Sequence, residues 1–249
     1  SLESIYRESQ NALSEADKAL IEKAYYFSDK AHTGQKRNSG EPYFHHSVEV
    51  AKNCANLGAD AITIASALLH DTLEDTETTE QSLKEEFGEE IFFLVSGVTK
   101  LGKLKYQGVE RHVESMRKFF IALAEDIRVL IIKLADRLHN IKTLEHVSPD
   151  KQKRIAVETI EIYAPLAGRL GMGKLKGKLE DYAFPFAYPQ EYLETKNFMD
   201  KVIPEATKVV TLIKQEVEEI LQSFNIEGKI EARAKHIYSL YRKLVKYDM

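Results

Sequence analysis

The residues best equipped for chemistry in this 249-residue sequence are His70, Asp71, Glu74 and Asp75. They follow directly on the apolar run from Ala61 to Leu69, which reads as a buried helix. Charge arriving at the end of a buried helix needs partners, because unpaired charge is rarely kept from water. If the helix continues through Asp75, each side chain turns by about 100° from the last. His70 then stacks on Glu74, and Asp71 pairs with Asp75. A nitrogen ligand, an oxygen ligand and two spare carboxylates on one surface suit a divalent-metal hydrolase, which needs an open ligand position and a base for water. The same residues also describe an ordinary helix end with solvated acids, and His-Asp alone is a weak signal.

Partners lie elsewhere in the chain. Pro42-Tyr43-Phe44-His45-His46 opens another helix, continued by Val48, Val50 and Ala51. The apolar run Ile131-Ile132-Lys133-Leu134-Ala135 ends in Asp136. A histidine, a His-Asp pair and a distant aspartate, each on its own helix, resemble the ligand order of the HD phosphohydrolase superfamily. That resemblance makes His46, His70, Asp71 and Asp136 the four metal ligands. His45 should point about 100° away from His46 and lie at the surface.

These residues must be positioned by helices, since helical periodicity dominates the chain. Helices are predicted over 16–28, 46–57, 61–75, 79–87, 89–99, 110–124 and 127–144, and over 151–170 apart from Pro165. The stretch 33–42, with two glycines and a proline, reads as a loop. So do the lysine-rich 97–108 and a looser joint over 168–177. Leu212 to Phe224 predicts an amphipathic helix, and 229–233 a strand whose incomplete sheet exposes an edge. No strand–glycine-loop–helix pattern marks a dinucleotide site. The fold class is all-α, an HD-type helical domain followed by a helical linker bundle and a truncated α/β segment.

Composition narrows the class further. With 43% hydrophobic residues the chain can bury one good core and a smaller second one. A net charge of −4 gives no general nucleic-acid footprint, so no direct nucleic-acid partner is expected. The single cysteine, Cys54, excludes an internal disulfide and fits a reducing, cytoplasmic compartment. No apolar run approaches the roughly 20 residues that cross a bilayer.

Longer motifs then carry a closer resemblance. Gly34-Gln35-Lys36-Arg37, Ser39-Gly40-Glu41-Pro42-Tyr43, His70 to Thr76, Gly97-Val98-Thr99-Lys100-Leu101 and Ile132 to Asn140 resemble the hydrolase domain of the RelA/SpoT homologue family. Glu158-Thr159, Ile162 to Ala167 and Leu179-Glu180-Asp181 extend the likeness, and Ala232 to Lys243 resembles the opening of that family's synthetase domain. The resemblance implies manganese-dependent removal of the 3′-pyrophosphate from (p)ppGpp, giving GDP or GTP. It implies that Glu74 and Asp75 position and deprotonate the attacking water. Arg37, Asn38 and Ser39 match the loop in which the family's arginine packs on guanine. Asn38 departs from the usual lysine. Asn140 and Thr143, at i+4 and i+7 from Asp136, share its helix face and are assigned by resemblance to ribose and base. Arg137 and His139 lie off that face and are expected to hold neighbouring helices. Lys100, Lys103 and Arg111 read as a solvated loop that could also attract a polyanion.

The implied organisation is a hydrolase domain over 1–150, a linker bundle over 151–196 and the truncated start of a synthetase domain over 197–249. A regulatory contact with the rest of the synthetase and with C-terminal domains follows. Two rival functions stand beside this one. The first is a stand-alone small alarmone hydrolase or NADPH 2′-phosphatase, against which the synthetase-like end argues. The second is a degenerate HD domain kept as a nucleotide-binding regulatory module. Loss of a ligand or of the Glu-Asp pair would mark it, and all six residues are present.

Overall fold

A computed structural model describes residues 1–102, 125–228, 230–231 and 236–247. The helices predicted over 110–124, the residues 103–108, Arg111 and most of the 229–233 strand lie outside these. No strand occurs among the described residues, whose one β-bridge joins Lys36 to Pro42. No helix among them is long and apolar enough to cross a membrane.

The centre of the fold is α4 (Ala61–Leu69), in which every residue but Ile62 is buried. A short helix that is apolar all round has to be enclosed. The chain encloses it with α2 (Glu15–Ala31), α3 (Phe44–Asn56), α6 (Glu80–Gly102) and α7 (Ile127–Lys142). The first helix, α1 (Leu2–Glu8), packs on α3 and buries Ile5. Side chains tie the layers where they meet. Ser28 Oγ donates to the Leu68 carbonyl at 2.6 Å, and Asn53 Nδ2 donates to the Ala135 carbonyl at 3.1 Å. Asp60 caps the start of α4 by accepting from the Thr63 N–H at 2.7 Å, satisfying a donor the helix leaves open.

Several predicted boundaries need correction. The helix from Ala61 does not run to Asp75. It stops at Leu69, turns at His70-Asp71, and restarts as the single-turn α5 (Thr72–Asp75). Thr72 Oγ1 donates back to the Leu69 carbonyl at 2.7 Å and so closes the first helix. The expected loop from Gly97 is helical as far as Gly102. Gly97 lets α6 approach α7, since a Cβ there would lie 2.9 Å from Val129 Cγ2.

Beyond α7 the chain makes a 3₁₀ turn at Leu144–His146 and enters α8 (Pro149–Glu158). Thr159–Tyr163 then forms a π-helical turn ahead of α9 (Ala164–Arg169). Pro165 has no N–H to give to the preceding turn, and the wider turn absorbs that loss. The predicted joint over 168–177 is half helix, because α10 (Gly173–Ala187) starts at its middle, after Gly171 turns the chain at φ +76°. Glycine is a poor helix former, but Gly177 is held against the His236 ring, where no side chain fits. A single helix, α11 (Pro189–Ser223), absorbs the predicted 212–224 element and the expected boundary at 196. The last helix, α12 (Ile237–Lys246), packs Tyr238 and Tyr241 against Phe184.

The break predicted between Phe87 and Glu89 is present inside α6. Gly88 has φ +82° and ψ 172°, a combination that L-residues avoid. No atom lies within 4 Å of a Cβ placed there, so the conformation alone resists substitution. Gly88→Ala is therefore expected to cost about 1–3 kcal/mol. At about 2–4 °C per kcal/mol, thermal unfolding should move down by several degrees. An unchanged or raised Tm would show that the bend is not needed for the fold.

Candidate active site

Three helices converge on one point. His46 comes from the first turn of α3, His70 from the end of α4 and Asp136 from the middle of α7. All three are buried, and among the described residues each brings one donor atom within 4.8 Å of the others. Asp71 sits beside them at 20% side-chain exposure, with Oδ2 3.1 Å from His70 Nε2 and 3.5 Å from His46 Nε2. His46 Nε2 is also 3.3 Å from Asp136 Oδ1.

The protonation of the cluster follows from its neighbours. Burial alone would raise the Asp71 carboxyl, but His70 and His46 hold it well below the usual carboxylate range. Burial likewise opposes the charge on Asp136, and Lys133, with Nζ at 2.8 Å, more than compensates and keeps it low. Burial lowers His70, yet Asp71 reverses this and leaves the imidazole raised. Two ionised carboxylates in a dry site thus favour positive charge between them.

His70 is also oriented for ligation. Its Nδ1 lies 2.8 Å from the Ala67 carbonyl oxygen, which can only accept. The neutral ring therefore carries its proton on Nδ1 and presents a lone pair at Nε2. That Nε2 is buried and, among the described residues, has no aligned hydrogen-bond partner, Asp71 Oδ2 at 3.1 Å facing it as a charge. An orphaned imidazole nitrogen facing two carboxylates fits a divalent cation, and the mixed nitrogen and oxygen donors fit manganese, iron or zinc.

Tyr43 links the cluster to the acids beyond it. Its hydroxyl lies 2.8 Å from Asp71 Oδ2 and 2.7 Å from Asp75 Oδ2, and burial followed by the Asp71 charge pushes its pKa up. The single phenolic proton is shared between the two carboxylates. Asp71 and Asp75 are thus brought together as the helical spacing suggests, though by a side chain and a turn rather than by one continuous helix. Glu74 is exposed, as is His45.

Arg37 reaches inward from the loop before α3. The loop is closed by the Arg37 N–H donating to the Glu41 carbonyl at 2.9 Å and by Gly40 at φ +86°. The guanidinium donates from Nη2 to Asn140 Oδ1 at 2.6 Å, and Asn140 Nδ2 donates to Asp136 Oδ1 at 2.5 Å. Arg37 Nη1 is 2.9 Å from His139 Nδ1 and 3.0 Å from His46 Nδ1.

A cavity of about 540 Å³ opens beside this chain of contacts. Arg37, Asn38, Ser39, Asn140 and Thr143 all line it, with Asp136 where it meets the cluster. Lys36, Lys133, Lys151 and Arg154 add further cationic groups. Arg137 behaves as the sequence suggests, joining helices through Glu158 at 3.5 Å and lying over the Tyr163 ring at 3.9 Å. His139 does not. The sequence places it off the ligand face, but three residues on a helix leave it only about 60° from Asp136. Its Nδ1 lies 2.8 Å from His46 Nδ1. Lys133 and Tyr43 were not singled out either, although each sits one turn from a predicted ligand, at i−3 from Asp136 and His46.

A family model described as HD domain matches residues 24–173. The chain belongs to the HD-domain family. Its curated relatives are of the RelA/SpoT type. It is 48% identical over 226 residues to the guanosine-3′,5′-bis(diphosphate) 3′-pyrophosphohydrolase of Aquifex aeolicus, covering 90% of this chain and 32% of that protein. It is 42% identical over 244 residues to the bifunctional (p)ppGpp synthase/hydrolase SpoT of Escherichia coli, covering 98% of this chain and 35% of that one. The chain thus spans about a third of the length of these relatives. Among solved structures, a metazoan SpoT orthologue described as hydrolysing ppGpp superposes with a TM-score of 0.54 over 70% of this chain and 97% of that one. At 23% identity that likeness speaks for the fold.

A cation held by this HD cluster should stabilise the folded chain. At a hundredfold excess over Kd, linkage gives about 2.7 kcal/mol, or about 5–11 °C at this chain length. Adding Mn²⁺ to metal-stripped protein should raise Tm by that amount, and His70→Ala should abolish most of the rise. A Tm indifferent to Mn²⁺, Zn²⁺ and Fe²⁺ alike would refute the cluster as a metal centre.

Proposed function

We propose that this chain is the hydrolase module of a RelA/SpoT-type protein and removes the 3′-pyrophosphate from (p)ppGpp. The observation that carries this reading is the shared wall between the His-Asp cluster and the cation-lined cavity. Asp136 belongs to both, and Arg37 bridges them through Asn140. The names of the relatives point to the same substrate.

His46, His70, Asp71 and Asp136 would hold the metal, with manganese as the ion. Such an ion supplies a Lewis acid for a phosphoryl oxygen and lowers the pKa of water. The remaining work falls to the chain itself. Asp75, tethered to Asp71 through Tyr43, and the exposed Glu74 stand one turn beyond the ligands and take the proton of the attacking water. A water oxygen bonds to the phosphorus carried on the ribose 3′-oxygen, the P–O3′ bond breaks, and the 3′-oxygen takes up a proton. GDP or GTP and pyrophosphate leave, with no covalent intermediate. Arg37, Asn38, Ser39, Asn140 and Thr143 hold the nucleoside, and Lys36, Lys151 and Arg154 offset the charge of its phosphates.

Around this module we place the linker bundle over 151–196 and the opening of a synthetase domain over 197–249, with which the hydrolase site would communicate. A free, buried Cys54 suits a cytoplasmic protein. The complete set of ligands and the Glu-Asp pair favour an enzyme over a degenerate binding module.

Incubation with ppGpp and Mn²⁺, with and without EDTA, tests the activity directly. Asp71→Ala should lose bound metal and hydrolysis together. Glu74→Gln should keep the metal and slow turnover by a factor of about 10²–10⁴. Full activity in the Glu74→Gln variant would remove its role as base, and equal metal loss in both variants would make it a ligand.

Asn38 gives a second test. It is exposed on the cavity wall and offers a hydrogen bond without charge. Lysine there would add a solvent-screened contact worth about 1 kcal/mol. Asn38→Lys should therefore lower KM for ppGpp several-fold, less so at high salt, and leave kcat and metal affinity nearly unchanged. A large change in kcat at fixed KM would mean that the loop acts on the transition state.

A further inference from the structure

Ligation by His46 through Nε2 makes a demand on its other ring nitrogen. A neutral imidazole with a bare Nε2 carries its proton on Nδ1, and that proton needs an acceptor in a site closed to water. Among the described residues His46 Nδ1 has two polar neighbours, Arg37 Nη1 at 3.0 Å and His139 Nδ1 at 2.8 Å. A guanidinium can only donate. The one acceptor of the two is therefore the lone pair on His139 Nδ1, which places the proton of His139 on its Nε2.

We propose that His139 is a positioning residue for the metal centre, accepting the Nδ1–H of His46 and so holding that ring in the tautomer and orientation that offer Nε2 to the ion. This rests on the reading of the cluster as a metal site. The two histidines of the cluster are then served alike. His70 gives its Nδ1–H to the backbone carbonyl of Ala67 at 2.8 Å, whereas among the described residues no backbone carbonyl serves His46 and a side chain from α7 does. The rings of His46 and His139 lie with centroids 4.9 Å apart and tilted by 49°, so the contact is an edge approach and not a stack. Arg37 Nη1 also points at the same lone pair, from 2.9 Å. Among the described residues Arg37 has a second acceptor in Asn140 Oδ1 and His46 has none, so an Arg37 drawn onto a nucleotide withdraws from both ring nitrogens and leaves the lone pair to His46.

Calorimetric titration of Mn²⁺ into metal-stripped chain tests this without reference to turnover. His139→Leu keeps bulk and loses the acceptor, and should weaken Mn²⁺ binding by about 10–100-fold, the usual cost of losing such a partner. His139→Asn can place its Oδ1 where Nδ1 stood, and should restore affinity to within about threefold of the unsubstituted chain. Binding by the leucine variant at full strength, or equal weakening in both variants, overturns the proposal. Should the leucine variant fail to fold, ¹⁵N NMR of the imidazoles in the unsubstituted chain loaded with diamagnetic Zn²⁺ decides. His46 must be protonated at Nδ1 and His139 at Nε2, and any other pair of tautomers overturns the assignment. A failure of the unsubstituted chain to bind Mn²⁺ is a different result, since it removes the metal reading itself along with this inference.

Discussion

The carboxylate of Asp136 is kept almost wholly from water, at 5% exposure, and much of the molecule is arranged around that fact. An isolated buried carboxylate carries a penalty of several kcal/mol, and only close, aligned partners remove it. Here they come from three places in the chain. Lys133 supplies charge from one turn earlier on the same helix, Asn140 supplies a donor from one turn later, and His46 faces the carboxylate from α3. Each of these partners has its own obligations, which draw in Arg37 from the loop and His139 from the position before Asn140 on α7. Satisfying one buried charge thus fixes the relative placement of a loop and two helices.

This also explains why the central helix is so apolar. For α4 to deliver His70 to a dry site, its flanks must be sealed, and the helix meets neighbours on every side with Ile64, Leu68 and Leu69 fully buried. The polar side chains it carries are held locally. Ser66 Oγ donates to the Ile62 carbonyl at 2.8 Å, and Thr63 lies under the Asp60 cap. The helix then has to end abruptly. The turn at His70-Asp71 swings Asp71 to a position where it faces both histidines and still reaches Tyr43, which an uninterrupted helix would not require.

Those features divide cleanly into what the sequence could and could not reveal. The placement of His46, His70, Asp71 and Asp136 at the edges of apolar runs is readable from helical periodicity, while their reading as one ligand set comes from the resemblance to the HD phosphohydrolases. The Gly88 bend is readable because a lone glycine separates two periodic segments. The turn at His70 is not, since its residues have ordinary helical propensity and it is closed by a Thr72 hydroxyl. The π turn before Pro165 and the helical Gly173–Gly177 segment depend on what packs against them, the latter on His236 from 59 positions further on. His139 was misplaced for a related reason. A helical wheel gives its angle from Asp136, but the ring that makes use of it lies 93 residues away in sequence. Contacts of that range come from packing, and local propensity carries no trace of them.

The cavity carries the same logic into the second half of the chain. Its walls include Arg37, Asn38 and Ser39 from the loop before α3, but also Lys151, Arg154, Ile155 and Glu158 from α8 and Tyr163 from the π turn. The functional boundary expected at residue 150 therefore runs through the cavity wall. The two sides are pinned by Arg137, whose guanidinium sits between Glu158 and the face of Tyr163 on a helix that also bears Asp136. Burial weakens that guanidinium's hold on its proton, but the Tyr163 and Glu158 neighbours more than restore it, so the link stays charged. A shift of α8 against α7 would strain this largely buried contact and change the width of the cavity in the same movement. Any ligand that fills the cavity bears on α8 and on the α7 residues beside the metal cluster together, so its binding energy and the packing of the second bundle are thermodynamically linked. Both α10 and α12 are joined to α8 through one continuous core, so the packing that feels the cavity extends to the last helix.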